Sequence, residues 1–177
     1  MINSKDQFDK IRILIVGSGI IGKFNALELS NSGFNITIVD QNEFKNSSNA
    51  ALGILMGNIY QKKKGRSWML RKKSLEQWPK WLDFLKHYNS IIHIEKPLFK
   101  LTTNDEQFQK IIKFKNDNPE GNFELIYNNS HLLNQVNKKF KGNKLQGIVS
   151  LEDGRIDPKL LLKTLNYILK EKNINTL

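Results

Sequence analysis

The chain has 177 residues, 39% of them hydrophobic and 25% charged, with a formal net charge of +11 and no cysteine. That composition predicts a soluble globular chain of ordinary single-domain size and excludes disulfides, a thiol nucleophile and thiolate metal sites. No apolar run approaches the roughly 20 residues that cross a bilayer, and Met1–Asp6 lacks the apolar core of a secretory leader, so no membrane partner and a cytosolic compartment are expected. Residues 1–10 read as a polar lead-in. Ile11–Val16 is a β-branched run of the kind that forms a buried parallel strand. It enters Gly17-Ser18-Gly19-Ile20-Ile21-Gly22, after which Ala26, Leu29 and Gly33 mark a helix, with Ala26 and Leu29 on its buried face. Asn35–Val39 is a second strand, closed by Asp40.

Each position in this stretch has a physical task. Gly17 permits the turn off the strand. Gly19 has no Cβ, so a pyrophosphate can approach the main chain where free N–H groups and the helix dipole favour negative charge. Gly22 lets the helix lie close to the sheet. Asp40 stands where a carboxylate accepts hydrogen bonds from an adenosine ribose, and its charge disfavours the 2′-phosphate of NADP. A glycine triplet alone is weak evidence, because glycine-rich turns are common. Strand, helix, second strand and terminal acid together point to dinucleotide binding.

After the polar loop Gln41–Asn46 comes Ser47–Gly57, a run of small residues that ordinary helix packing does not require. Here the chain resembles the N-terminal part of the D-amino-acid-oxidase-like (DAO) FAD-dependent oxidoreductases, the group that includes glycine oxidase and sarcosine oxidase. In that family a serine- and alanine-rich loop with a glycine passes along the flavin. Ser47, Ser48, Ala50, Ala51 and Gly53 match it, although a helix start capped by Ser47 or Ser48 fits the same residues. The resemblance implies FAD as cofactor, with Gly17, Ser18, Gly19, Ile20, Ile21 and Gly22 at the pyrophosphate. It places Asp40 and Gln41 at the ribose, and Ser47, Ser48, Ala50, Ala51 and Gly53 on the flavin side.

The excess positive charge lies beyond Tyr60, since residues 1–60 hold five basic and five acidic side chains. It is densest at Lys62, Lys63, Lys64, Arg66, Arg71, Lys72 and Lys73. Only four of the 28 basic residues are arginine, and alanine occurs only at 26, 50 and 51, which reads as codon bias. Phosphate-reading surfaces are richer in arginine and interleaved with aromatics, so a solvated lysine coat is expected instead of a nucleic-acid interface. Trp68, Leu75, Trp78, Leu82 and Leu85 mark one face of a long helix, with Pro79 expected to kink or break it. The tryptophans read as core packing.

Ile91–Glu95 and Leu98–Thr102 read as strands joined at Lys96-Pro97. Asn104 and Gln107 form a candidate capping box before a helix that buries Phe108, Ile111 and Ile112 and ends at Asn118–Gly121. Phe123–Tyr127 and Leu145–Ser150 read as strands, with a short helix from Ser130 through Leu132, Leu133 and Val136 between them. Asp153–Pro158 resembles the family's return segment. Asp157 suits an N-cap and Pro158 the first helical position. Leu161, Leu162, Leu165, Ile168 and Leu169 form the apolar face, Lys170 and Lys172 complement the last turn, and Ile174–Leu177 opens another parallel strand.

The expected fold class is α/β: a Rossmann-like FAD-binding β-α-β start with part of an inserted substrate-side α+β sheet, incomplete relative to the family. It is read as a single N-terminal portion: nucleotide unit and flavin loop at 11–60, partial substrate-side sheet at 90–150, return helix at 151–177. The expected function is that of a truncated amine or amino-acid oxidase, moving a hydride from a small amine or amino acid to FAD. The alternatives are a non-catalytic nucleotide-binding remnant and, since one branch of the family acts on wobble uridine, a tRNA-modifying flavoenzyme. The family's carboxylate-binding residues come from later regions, so no catalytic residue is assigned. Arg155, expected in a turn, is a poor candidate for that role. His87, His93 and His131 lack metal-ligand spacing. Asp105-Glu106 and Glu152-Asp153 fit a helix start and a turn better than acid–base chemistry.

Overall fold

The computed structural model describes residues 11–41, 47–60, 63–128, 130–131, 133 and 144–177. The lead-in over 1–10, the loop over 42–46, Lys62, and Leu132 and Val136 of the expected short helix lie outside the described residues. In chain order the elements are β1 (Arg12–Val16), α1 (Ile20–Asn31), β2 (Asn35–Val39), α2 (Ser47–Ala50), β3 (Ile54–Leu55), α3 (Gly65–Tyr88) and β4 (Ile94–Glu95). There follow β5 (Leu98–Thr102), α4 (Asp105–Asn116), β6 (Phe123–Ile126), β7 (Gln146–Ser150), β8 (Gly154–Ile156), α5 (Pro158–Glu171) and β9 (Asn175–Thr176). They fall into two compact units: Met1–Gly53 with Lys80–His93 and Ile156–Leu177, and Ile54–Pro79 with Ile94–Arg155. No described helix is long and apolar enough to cross a membrane.

The first unit is built on a parallel sheet of order β1-β2-β9. β1 and β2 run in register from Arg12 opposite Asn35 to Val16 opposite Val39, and Thr37 pairs with Asn175 on β9. Leu27 of α1, Ile38 of β2 and Leu161, Leu165 and Ile168 of α5 are fully buried. Each such side chain contributes roughly 1.5–3 kcal/mol by leaving water. Leu27 takes the deeply buried position expected of Leu29, which is half-buried. Asp157 caps α5 by accepting from the amides of Lys159 at 2.8 Å and Leu160 at 3.2 Å. Trp81 of α3 packs edge-on against Phe24 of α1, ring centres 4.4 Å apart.

β1 departs from the expectation of a strand buried on both sides. Leu14 is 61% and Val16 81% exposed, while the intervening Ile13 and Ile15 are half-buried. The β-branched run specified a parallel strand, but burial of its outer face requires a second packed layer that local sequence does not supply.

The second unit holds an antiparallel sheet of order β5-β7-β6. β7 lies at its centre, buried along its whole length, with Ser150 opposite both Leu98 and Phe123. Phe108, Ile111 and Phe114 of α4 pack with Ile59, Phe123 and Ile148. Phe114 replaces the expected Ile112, which is half-buried, because the helix face that meets the sheet runs through 108, 111 and 114. The capping box is half made. Asn104 Oδ1 accepts from the Gln107 amide at 2.9 Å, but the Gln107 side chain instead accepts from the Thr102 hydroxyl.

A smaller sheet has the order β3-β8-β4. The strand expected over Ile91–Glu95 shrinks to two residues, and β4 and β5 join different sheets instead of pairing with each other. Arg155 lies in β8, not in a turn, and its guanidinium meets Glu95 at 3.0 Å. Asp153 is fully buried. Its carboxylate accepts from the amides of Gly57 at 2.9 Å, Asn58 at 3.0 Å and Ile59 at 2.7 Å, which fixes the segment after β3. α3 continues through Pro79, where the division between the two units falls.

Candidate functional site

β1 ends at Val16, and Gly17 turns the chain with φ of +103°, a left-handed conformation that glycine adopts without strain. Its amide donates to Val39 O at 2.7 Å, tying the corner to the end of β2. Gly19 is the N-cap of α1 in an extended conformation and has no side chain with which to cap. Ser48, brought in from α2, supplies that function: its Oγ accepts from the Ile20 amide at 3.0 Å. One of the two serines whose sequence position also fitted a cap for α2 therefore caps another helix, 28 positions earlier in the chain. Among the described residues no acceptor engages the amides of Ile21 and Gly22, which remain the free donors of the first turn.

The glycines here are steric requirements. A Cβ on Gly22 would lie 2.0 Å from Gly17 O, so the helix can start this close to the turn only without one. A Cβ on Gly19 would reach Ser48 Oγ at 3.0 Å, filling the space beside the free amides.

Asp40 stands at the end of β2, where its Oδ2 accepts from the Ser18 amide at 2.5 Å and also from the Ser18 hydroxyl. The Ser18 hydroxyl, then the Ser18 amide, hold its carboxyl below the usual aspartate range, with smaller help from the Gln41 amide and Lys23. Lys23 was not read from the sequence as part of this corner. It is only 5% exposed on α1. Burial pushes its ammonium down from the ordinary lysine value, while the Asp40 charge acts in the opposite sense. Its position directly after the glycine triplet gave no sign of that burial.

The structure thus brings Gly17, Ser18, Gly19, Ile20, Ile21, Gly22, Asp40 and Ser48 into one corner at the carboxyl ends of two parallel strands, with Gln41 beside Asp40. Ser47 and Ala50 lie on α2 with exposed side chains, and Ala51 is exposed just beyond it. Gly53 sits further along with φ of +72°, where a Cβ would meet Ile156 O at 1.9 Å. Free helix amides, a side-chain-free approach and an ionised acid at the neighbouring strand end fit a dinucleotide: pyrophosphate on the amides, ribose on the acid.

The sequence matches the family FAD dependent oxidoreductase (DAO) over residues 12–175. The chain belongs to that family. Its fold is similar to glycine oxidase from Geobacillus kaustophilus, with TM-score 0.77 and 19% identity, covering 95% of this chain and 47% of that one. Glycine oxidase from Bacillus cereus ATCC 14579 gives TM-score 0.75 and 17% identity over 94% and 46%. Iminodiacetate oxidase from Chelativorans sp. BNC1 gives 0.74 and 16% over 93% and 46%. No curated protein matches the chain by sequence. The chain spans about half the length of these structures, so its α/β fold is an incomplete form of the DAO oxidoreductase fold.

Proposed function

We propose that this chain holds FAD within an amine or amino-acid oxidase, whose substrate is a small molecule bearing a C–H next to an amine nitrogen. The observation that carries the reading is the corner formed by the free Ile21 and Gly22 amides, the bare Cα of Gly19 and the Ser18-bound carboxylate of Asp40. In this reading the two amides donate to the pyrophosphate. Asp40, kept ionised by Ser18, accepts from the adenosine ribose. Ser48 holds the first turn of α1 in place, and the small residues from Ser47 to Gly53 run beside the flavin. FAD, when bound, accepts the hydride as the substrate amine becomes an imine. This chain's own residues bind and orient the cofactor; none is assigned to the proton or hydride transfer.

Binding is tested by titrating FAD with the purified, folded chain and following the quenching of flavin fluorescence. Saturable quenching that is lost in Gly19→Val, with the circular dichroism of the variant unchanged, supports the reading. Equal quenching by Gly19→Val, or none by the wild-type chain, overturns it.

A further inference from the structure

Arg71 interrupts the apolar stripe of α3. It lies three residues after Trp68 and four before Leu75, so helical spacing puts it in line with Trp68, Leu75 and Trp78 and not among the solvated lysines. It is half-buried there. One guanidinium nitrogen, Nη1, donates to Met56 O at 2.7 Å, and the group stacks over the Tyr60 ring, 4.2 Å from its centre. Its Nε is buried and donates to no acceptor among the described residues. No described carboxylate forms an ion pair with it. A guanidinium keeps its charge at any working pH, and a partly desolvated one with an idle donor is a standing electrostatic cost that an anion removes.

The surroundings are shaped for such an anion. Arg71 lines an open depression of about 340 Å³ together with Ser67, Ser74, Met56, Leu75 and Trp78. The chain from Lys63 to Lys73 contains no acid, and the next acid along α3, Glu76, is exposed. Met56 and Tyr60, which hold the guanidinium, flank the Gly57–Ile59 amides that Asp153 clamps. The arginine is thus positioned before any ligand arrives, and every residue of the arrangement belongs to the second compact unit.

We infer that Arg71 is the anchor of a binding site for a small organic carboxylate with an aliphatic body. The planar carboxylate takes the guanidinium, the serine hydroxyls supply further hydrogen bonds, and the aliphatic part lies against Leu75 and Trp78. This site shares no residue with the nucleotide corner, and its test uses no flavin, so the two readings stand or fall independently.

The test follows the intrinsic tryptophan fluorescence of the purified chain, since Trp78 lines the depression. The probes are 4-methylvalerate and its uncharged amide, 4-methylvaleramide, which has nearly the same shape. The carboxylate is expected to give a saturable change and to bind at least about tenfold more tightly than the amide. Arg71→Gln is expected to abolish that preference, whereas Lys72→Gln, on the exposed side of the same helix, keeps it. Equal binding of carboxylate and amide, no saturable response, or an Arg71→Gln variant that retains the preference overturns the proposal. The carboxylate–amide comparison on the unaltered chain decides the matter even if Arg71→Gln fails to fold.

Discussion

Gly19 and Gly22 stand three residues apart in one motif, yet the structure gives their hydrogens different work. At Gly22 an added methyl meets the Gly17 carbonyl at 2.0 Å, and main-chain atoms cannot yield without moving the turn. Gly22→Ala is expected to lower stability by about 2 kcal/mol or more, measured as a fall in the urea midpoint. At Gly19 the methyl meets only Ser48 Oγ, the end of a small side chain, at 3.0 Å. Gly19→Ala is expected to change stability by less than about 1 kcal/mol while weakening FAD at least about tenfold, because the cost falls on ligand approach. Asp40 gives a pH signature. Ser18 lowers its carboxyl pKa in the folded chain, so its contribution to stability is complete above the ordinary aspartate value and is lost as pH falls through the lowered one. An NMR titration of the Asp40 carboxyl carbon is expected to show a midpoint below that of an unstructured aspartate. In Ser18→Ala the midpoint should move upward, and an unchanged midpoint would remove Ser18 as the cause.

Among the elements, the helices were the most legible. Their ends carry chemical punctuation that acts within a few residues: Asn104 before α4, Asp157 and Pro158 before α5. Both caps are made in the structure, and Asn104→Ala and Asp157→Ala are each expected to cost about 1 kcal/mol in chemical denaturation. The capping box failed at its second half because Thr102, two residues before Asn104, offers a hydroxyl to the Gln107 side chain and accepts from the Asn104 amide at 3.0 Å. Strands were legible as β-forming segments but not as partners. Ile91–Glu95 and Leu98–Thr102 read as neighbours, yet β5 pairs with β7, about fifty positions away, with Leu98 opposite Ser150. Pairing depends on which edges tertiary packing brings together, and spacing along the chain carries little of that information. Ser48 shows the same limit, since one of the two serines that could have capped α2 instead accepts from the first amide of α1.

At the scale of the whole molecule, the parallel sheet has two unequal faces. Ile38 is fully buried, and Ile38→Ala is expected to cost about 2–5 kcal/mol. Val16 is 81% exposed, and Val16→Thr is expected to stay within about 0.5 kcal/mol; a large loss on urea denaturation would mean that this face is covered in solution. By itself the sequence determined the β-α-β start, the glycine corner with its acid, the capped helices and the family to which the chain belongs. Those features depend on residues a few positions apart, or on one steric requirement repeated at fixed spacing. Only the tertiary structure decided that Ser18 ionises Asp40 more readily, that Lys23 is buried beside it, that Asp153 holds three amides nearly a hundred positions upstream, and that Arg71 meets no carboxylate among the described residues. In each case the partner, or its absence, is set by elements far apart in the chain, and burial and charge pairing are properties of what surrounds a residue after folding.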